Sequence, residues 1–200
     1  MEEKKKTNGN STGRRSTKEW KKLVAEFQKP NLSRAIWQLA NTLLPVLGIW
    51  IGLYFLKDIS LWLCIPLAMI AGLFLIRAFI IFHDCGHGSF FKSKKANNIL
   101  GFFTGMLTFT PYHHWKWEHA MHHATNGDLD RRGIGDVWTL TVEEYLTSSR
   151  WIKLSYRFLR NPFILFLLAP LFLFFVLERI PCSKAKPREK RSVYLMNFAL

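Results

Sequence analysis

Two long apolar runs, separated by a single Lys-Asp pair, constrain the fold of this 200-residue chain more than any other feature. The first, 36–56, holds 21 residues without a charge, and the second, 59–82, holds 24 residues with one charge, Arg77. About 20 apolar residues are enough for a helix to cross the roughly 30 Å hydrocarbon core of a bilayer. The sequence therefore predicts two antiparallel membrane helices, at about 35–56 and 59–82, in an all-α, multi-pass membrane protein.

Three later segments complete the predicted organisation. The 162–178 segment is apolar but short and is interrupted by Pro170, so it predicts a membrane helix that either crosses or re-enters. The apolar stretch 99–111 is too short to cross, and we expect a re-entrant segment that returns the chain to the same side. From about residue 192 the chain has the composition of the first turns of another membrane helix, truncated at residue 200, which predicts that the chain is a fragment.

The region 1–34 is predicted to be a basic cytosolic tail. Within it, Trp20, Leu23, Val24 and Phe27 follow helical spacing, which is typical of a short amphipathic helix on a membrane surface. The chain carries a net charge of +14, and its Lys and Arg residues cluster beside apolar segments rather than in a nucleic-acid-binding motif. This placement favours anionic lipid headgroups over nucleic acid as the partner. The three cysteines are far apart and predict no disulfide framework.

Positive charge on the cytoplasmic side of membrane helices sets the expected orientation. With a basic N-terminus on that side, two crossings bring the chain back to the cytosolic face near His83. Arg77 lies about six residues earlier, or roughly 9 Å along a helix, and we expect it to extend to the membrane surface.

All seven histidines lie between positions 83 and 123, and five of them form two tight clusters. These five are His83 and His87, then His119, His122 and His123. Residues three or four apart share one face of a helix, so each cluster predicts converging imidazoles. Imidazole suits zinc, copper, iron and nickel, whereas magnesium and calcium prefer oxygen ligands. Five imidazoles exceed one tetrahedral zinc site and predict a site for more than one transition metal.

The segments His83-Asp84-Cys85-Gly86-His87 and His119-Ala120-Met121-His122-His123 resemble two histidine boxes of the membrane fatty acid desaturases, HxxxH and HxxHH. They are most like the acyl-lipid branch, of the omega-6 or delta-12 type. The resemblance implies a diiron centre in which these five histidines are iron ligands, and a cis double bond introduced into an acyl chain with O2. It also implies an acyl-lipid or acyl-thioester substrate and an electron donor such as ferredoxin or cytochrome b5.

The family's third box, a second HxxHH, has no counterpart here because no histidine follows position 123. Residues 35–200 are therefore expected to be part of a desaturase domain, inactive as a 200-residue chain because five ligands leave two irons under-coordinated. Asp84 and Glu118 are candidate hydrogen-bonding partners of the iron-bound histidines, with solvated helix charges as the alternative. His113 and His114 are predicted to be supporting residues beside the site.

Two other functions stay open at this point. A lipid or carotenoid hydroxylase or ketolase uses the same boxes, so the box residues do not separate these oxidations. A haem-binding membrane electron carrier also places histidines on neighbouring membrane helices.

Overall fold

The structure is a computed structural model that describes residues 17–25, 29–133 and 135–200, and within these ranges it contains helices and no strands. The all-α prediction is therefore confirmed for the described part of the chain. Residues 1–16 of the predicted basic tail 1–34, and Phe27, lie outside the described ranges. The α-helices are α1 Thr17–Ala25, α2 Leu32–Leu56, α3 Leu61–His87, α4 Lys94–Leu107, α5 Tyr112–Thr125, α6 Val142–Thr147, α7 Arg150–Leu159, α8 Ala169–Phe175 and α9 Pro187–Ala199.

Helices α2 and α3 form the antiparallel hairpin that the two apolar runs predict, and both are long and apolar enough to cross a membrane. Arg77, the single charge in the second run, donates hydrogen bonds to Asn41 Oδ1 at 2.6 Å and to Thr42 Oγ1 at 3.3 Å, both on α2. The Arg77 side chain is exposed, so these bonds join α2 and α3 without burying the guanidinium. The expected extension of Arg77 to the membrane surface stays a prediction.

Helix α4 has 14 residues, which is too short to cross a bilayer, and it begins five residues before the predicted re-entrant segment. The chain then reverses at Phe109, whose φ is 56°, and the Thr110 N–H donates to Gly105 O at 2.8 Å. Glycine at 101 lets α5 approach closely, because a Cβ there would lie 2.1 Å from the Tyr112 ring. The reversal brings the start of α5 back beside α3.

Tyr112 anchors α5 to α3. Its side chain is fully buried and its hydroxyl donates to the Cys85 carbonyl oxygen at 2.7 Å. The ring packs edge-on against Phe82, which lies with Ile81 in the same buried cluster. This apolar core holds the C-terminal end of α3 against the first residues of α5, directly next to the predicted histidine boxes.

The predicted membrane helix at 162–178 is interrupted in the structure. A π-helical turn at Ile164–Leu168 precedes α8, and a 3-10 turn at Leu177–Arg179 follows it. Proline at position 170 lacks an N–H, so the regular hydrogen-bond ladder cannot continue through it, and the turn before it adopts the wider register. The helical segment from Ile164 is bent by 61° relative to α7, a geometry compatible with a broken span or a re-entrant loop.

Candidate metal centre

Four imidazoles converge where α3 ends and α5 passes it. Histidine 87 is the last residue of α3 and His83 lies one turn before it, while histidines 119 and 123 lie one turn apart on α5. One ligand nitrogen from each of the four lies within 4.8 Å of all the others. The Nε2–Nε2 distances are 3.3 Å for His83–His87, 3.1 Å for His87–His119, 3.1 Å for His83–His119 and 3.0 Å for His119–His123.

Hydrogen bonds alone do not explain this arrangement. The Nε2 atoms of His83, His87 and His119 form a triangle in which all three pairs lie at hydrogen-bonding distance. A neutral imidazole nitrogen is either a donor or an acceptor, so at least one pair in any such triangle is mismatched. A single cation between the three lone pairs removes the mismatch, and this favours a shared metal over a hydrogen-bonded cluster.

Small residues and one tryptophan set the orientation of these rings. Gly88 follows the last residue of α3 and caps the helix, and its φ of 72° is the left-handed geometry that glycine adopts without strain. At position 86, a Cβ would come within 2.8 Å of the Trp115 ring, so glycine there allows the tryptophan to approach α3. Trp115 in turn stacks on His119, with ring centroids 4.3 Å apart and an interplanar angle of 16°. The stacking fixes the plane of the central imidazole.

Electrostatics keep the central imidazole neutral. Burial, reinforced by the neighbouring imidazoles, lowers the pKa of His119 to about 4. A neutral ring offers a lone pair to a metal without first losing a proton. Two nitrogens bound to one ion at about 2.1 Å lie roughly 3.0–3.4 Å apart. The spacing within the triangle of His83, His87 and His119 matches that separation, as does the spacing of His119 to His123, so these imidazoles fit a transition-metal ion.

Asp84 contacts one member of this group. Its Oδ1 lies 3.2 Å from His83 Nδ1, the ring nitrogen that faces away from the other imidazoles. Such a contact orients a ligating ring and fixes its tautomer, because the Nδ1 proton is then committed to the carboxylate.

His122 does not join the four, although it belongs to the same box. Its ring centroid is 6.1 Å from that of His119, and its Nδ1 donates to Asp136 Oδ1 at 2.6 Å. The Asp136 Oδ2 accepts the Gly133 N–H at 3.2 Å, so both carboxylate oxygens have partners. With the proton held on Nδ1, the His122 Nε2 is left with its lone pair.

Asp136 is a further residue of this region that is not among the candidates predicted from the sequence. The aspartate follows Gly133 and Gly135, both of which have positive φ, and the loop passes so close that a Cβ on Gly135 would lie 3.1 Å from the His122 Cβ. The hydrogen bond from His122 lowers the pKa of Asp136 below its usual range. A Gly-x-Gly-Asp sequence shortly after a histidine box was the available signal for a chain that folds back onto the helix.

Glu118, His113 and His114 lie outside the four-histidine group. His114 is 3% exposed, and its Nε2 accepts the Cys182 N–H at 3.0 Å. Its Nδ1 therefore carries the proton and faces Glu118 Oε2 at 3.5 Å. His113 lies beside α9, where its backbone N–H donates to Ser192 Oγ at 3.1 Å. The predicted role of Glu118 as the partner of a metal-binding histidine thus has no contact to support it, because its imidazole neighbour is His114.

Comparison with known proteins adds an independent line of support. The family model described as fatty acid desaturase matches residues 60–200. The fatty acid desaturase of Bacillus subtilis (strain 168) is 48% identical over 183 residues, covering 92% of this chain and 52% of the relative. The sn-1 oleoyl-lipid 12-desaturase of Synechocystis sp. is 31% identical over 144 residues, covering 72% of this chain and 39% of the relative.

A second protein of Synechocystis sp., the sn-1 acyl-lipid omega-3 desaturase (ferredoxin), is 30% identical over 165 residues, covering 76% of this chain and 43% of the relative. The chain thus spans about half the length of these relatives, or somewhat less. No solved structure matches it.

Proposed function

The chain belongs to the fatty acid desaturase family, and we propose that the protein containing it introduces a cis double bond into an acyl chain with O2 as oxidant. The observation that carries this proposal is the convergence of four imidazoles at the ends of α3 and α5. Two of them lie at the end of a helix that is long and apolar enough to cross a membrane. That position suits chemistry on a substrate held in the bilayer.

The metal of this site is proposed to be iron, with two ions in the whole protein. Iron supplies the oxidising power, together with O2, that breaking an unactivated C–H bond requires. Residues His83, His87, His119 and His123 would hold one ion, and the Nε2 of His122 is the fifth candidate ligand. The roles of Asp84 and Asp136 would be to orient His83 and His122 through their Nδ1 protons.

We propose an acyl lipid as the substrate and a ferredoxin as the electron donor, with cytochrome b5 as the alternative donor. Relatives named as acyl-lipid desaturases, one of them with ferredoxin in its name, support this choice. The active site is proposed to lie at the cytosolic face of the membrane. The basic residues before α2 support that orientation, because positive charge favours the cytosolic side.

The haem-carrier alternative gains no support from the geometry. An iron between two axial imidazoles of a haem holds their nitrogens about 4 Å apart, on either side of the porphyrin plane. Here the Nε2 atoms of His83, His87 and His119 lie 3.1–3.3 Å from one another, which leaves no plane for a porphyrin between them.

The test is expression of the whole protein in a host whose lipids lack polyunsaturated chains, followed by mass spectrometry of fatty acid methyl esters. We expect new cis double bonds in the wild type and none with His119→Ala. Hydroxylated chains without new double bonds would assign the protein to the hydroxylase alternative. A Soret band in the purified protein would contradict the iron–histidine site.

A further inference from the structure

A basic cavity adjoins the four-histidine group, with His87 in its wall. Its volume is about 600 Å³, and it lies between the end of α3 and the starts of α4, α5 and α9. Four cationic side chains line it, those of Lys92, Lys94, Lys116 and Arg188.

The cations of this cavity are crowded and unpaired by acid. Among the described residues none of the four is within ion-pairing distance of a carboxylate, and Glu189 is the one acidic side chain in the wall. Arg188 Nη2 approaches His113 Nδ1 at 3.4 Å, and Lys116 lies over the Tyr112 ring. Burial and the nearby positive charges of Arg188 and Lys94 lower the pKa of Lys116. A bound anion would relieve this repulsion.

Two helix N-termini add to the positive potential. Helix α4 starts at Lys94 and α9 starts at Pro187, so the first turns of both border the cavity. Unpaired N–H groups and the helix dipole favour an anion at such a position. The Ser93 side chain accepts the Ala96 N–H at the start of α4, and Glu189 lies in the first turn of α9, so the cationic side chains contribute more positive charge than the helix ends.

An apolar groove continues from the basic cavity. This second cavity, of about 590 Å³, shares Asn98, His113 and Arg188 with the first. Its apolar wall includes Ile99, Phe103 and Leu195, which are 50%, 59% and 47% exposed. The cations Lys95, Arg188 and Arg191 also line it. A compact basic pocket joined to an open apolar groove matches an amphiphile with an anionic head, whereas an acidic protein surface would need an exposed basic face without a groove.

We propose that the basic cavity binds the headgroup phosphate of a diacyl phospholipid, with one acyl chain lying in the adjoining groove. The other chain then starts beside His87 and is the one presented to the metal centre. The inference rests on the proposed desaturase function and deepens it, because it names a phosphate-bearing lipid as the substrate.

The experiment measures lipid binding to the purified whole protein, loaded with iron, in neutral detergent. The probes are phosphatidylglycerol and monogalactosyl diacylglycerol with matched acyl chains, and inorganic phosphate is the competitor. The test variant is Lys94→Gln with Arg188→Gln. The matched control is Lys153→Gln with Arg157→Gln on α7, a half-buried and an exposed cation that do not line either cavity.

We expect the test variant to bind phosphatidylglycerol at least about tenfold more weakly, as loss of charge-assisted hydrogen bonds implies. The control and the iron content should stay within about twofold of the wild type. Equal weakening in the control, or wild-type affinity for the neutral galactolipid equal to that for phosphatidylglycerol, would overturn the headgroup site. Displacement of phosphatidylglycerol by millimolar inorganic phosphate at one-to-one stoichiometry would assign the cavity to a free anion instead.

Two outcomes separate this proposal from the proposed function. Desaturation of the neutral galactolipid at the same rate as phosphatidylglycerol would remove the headgroup site and leave the desaturase intact. Charge-dependent phosphatidylglycerol binding without oxidation of any lipid would retain the site and overturn the desaturase. Loss of ferredoxin binding in the test variant with unchanged lipid binding would make the cavity a docking site for the electron donor, contrary to this inference.

Discussion

Two stripes of side chains on α5 make different kinds of contact. They are offset by one residue and therefore lie about 100° apart around the helix. The 115 stripe comprises Trp115, His119 and His123, and the 114 stripe comprises His114, Glu118 and His122. In the 115 stripe both histidines direct Nε2 at other imidazole nitrogens. In the 114 stripe each histidine has an ordinary hydrogen-bonding partner. His114 accepts the Cys182 N–H, and His122 donates to Asp136.

The difference shows that the partner of each ring nitrogen indicates its role better than the box pattern does. His114 is buried and committed through Nε2, so it stabilises the contact between α5 and the segment at Cys182. His122 is committed through Nδ1 only, so its Nε2 lone pair is not used in that hydrogen bond. The 114 stripe therefore contains one supporting histidine and one ligand candidate, while both histidines of the 115 stripe belong to the converging group that could hold a metal.

The largest expected contrast is between His119→Ala and His114→Ala. Removing His119 deletes the imidazole that contacts all three other members of the group, and we expect bound iron to fall to background. Removing His114 leaves the Cys182 N–H without its acceptor, which costs about 1–3 kcal/mol of unfolding free energy, but iron should stay near the wild-type level. Iron per protein by mass spectrometry and the thermal unfolding midpoint measure the two effects. Loss of iron in both variants would contradict the division between the stripes.

A smaller effect is expected from Asp136→Asn. The amide can no longer hold the His122 Nδ1 proton as a carboxylate does, so the ring and its tautomer become less well fixed. We expect a 10- to 100-fold weaker iron affinity in competition with a chelator. A cobalt-substituted sample should show a shifted absorption spectrum, which a purely structural role would leave unchanged.

The matched control is Asp130→Asn, in the same loop and exposed to solvent. Its affinity for iron should differ from the wild type by less than about twofold. An unchanged cobalt spectrum in Asp136→Asn would show that His122 does not reach the metal.

The structural features that depend on local periodicity can be predicted from the sequence. Apolar run length locates α2 and α3, and the i, i+4 spacing places His83 with His87 and His119 with His123. The capping box of α6 is equally local: Thr141 and Glu144 are three residues apart, and both of its reciprocal hydrogen bonds are present. Each of these features is set within about one or two helical turns of chain.

Features that join distant segments could not be predicted in the same way. Arg77 finds Asn41 and Thr42 some 35 residues earlier, and Cys182 finds His114 across 68 residues. The return of Asp136 onto His122 depends on two glycines with positive φ, whose effect on direction is not visible as a periodic pattern. These contacts follow from how the helices pack, and the composition of either partner alone does not specify the other.

The smallest expected effect, and the one that sharpens the assignment of the 114 stripe, comes from Glu118→Gln. Burial raises the pKa of Glu118, so the folded state holds its proton more tightly than the unfolded state does. The carboxylate therefore costs stability at neutral pH, and this cost disappears as the pH falls below the unfolded value of about 4.5. The glutamine avoids the cost, and we expect a thermal midpoint about 1–3 °C above the wild type at pH 7–8, with the gap closing toward pH 4.5.

Iron content should not change in Glu118→Gln, and Glu143→Gln on the exposed side of α6 should leave the midpoint unchanged at every pH. A destabilised Glu118→Gln at neutral pH would mean that its carboxylate contact with His114 outweighs the cost of burial. That contact is 3.5 Å long, beyond the usual range of a strong charge-assisted hydrogen bond. We therefore expect the stability cost of burying the carboxylate to outweigh it. The 114 stripe would then stand as a packing surface whose charges are tolerated, next to a stripe whose imidazoles are required.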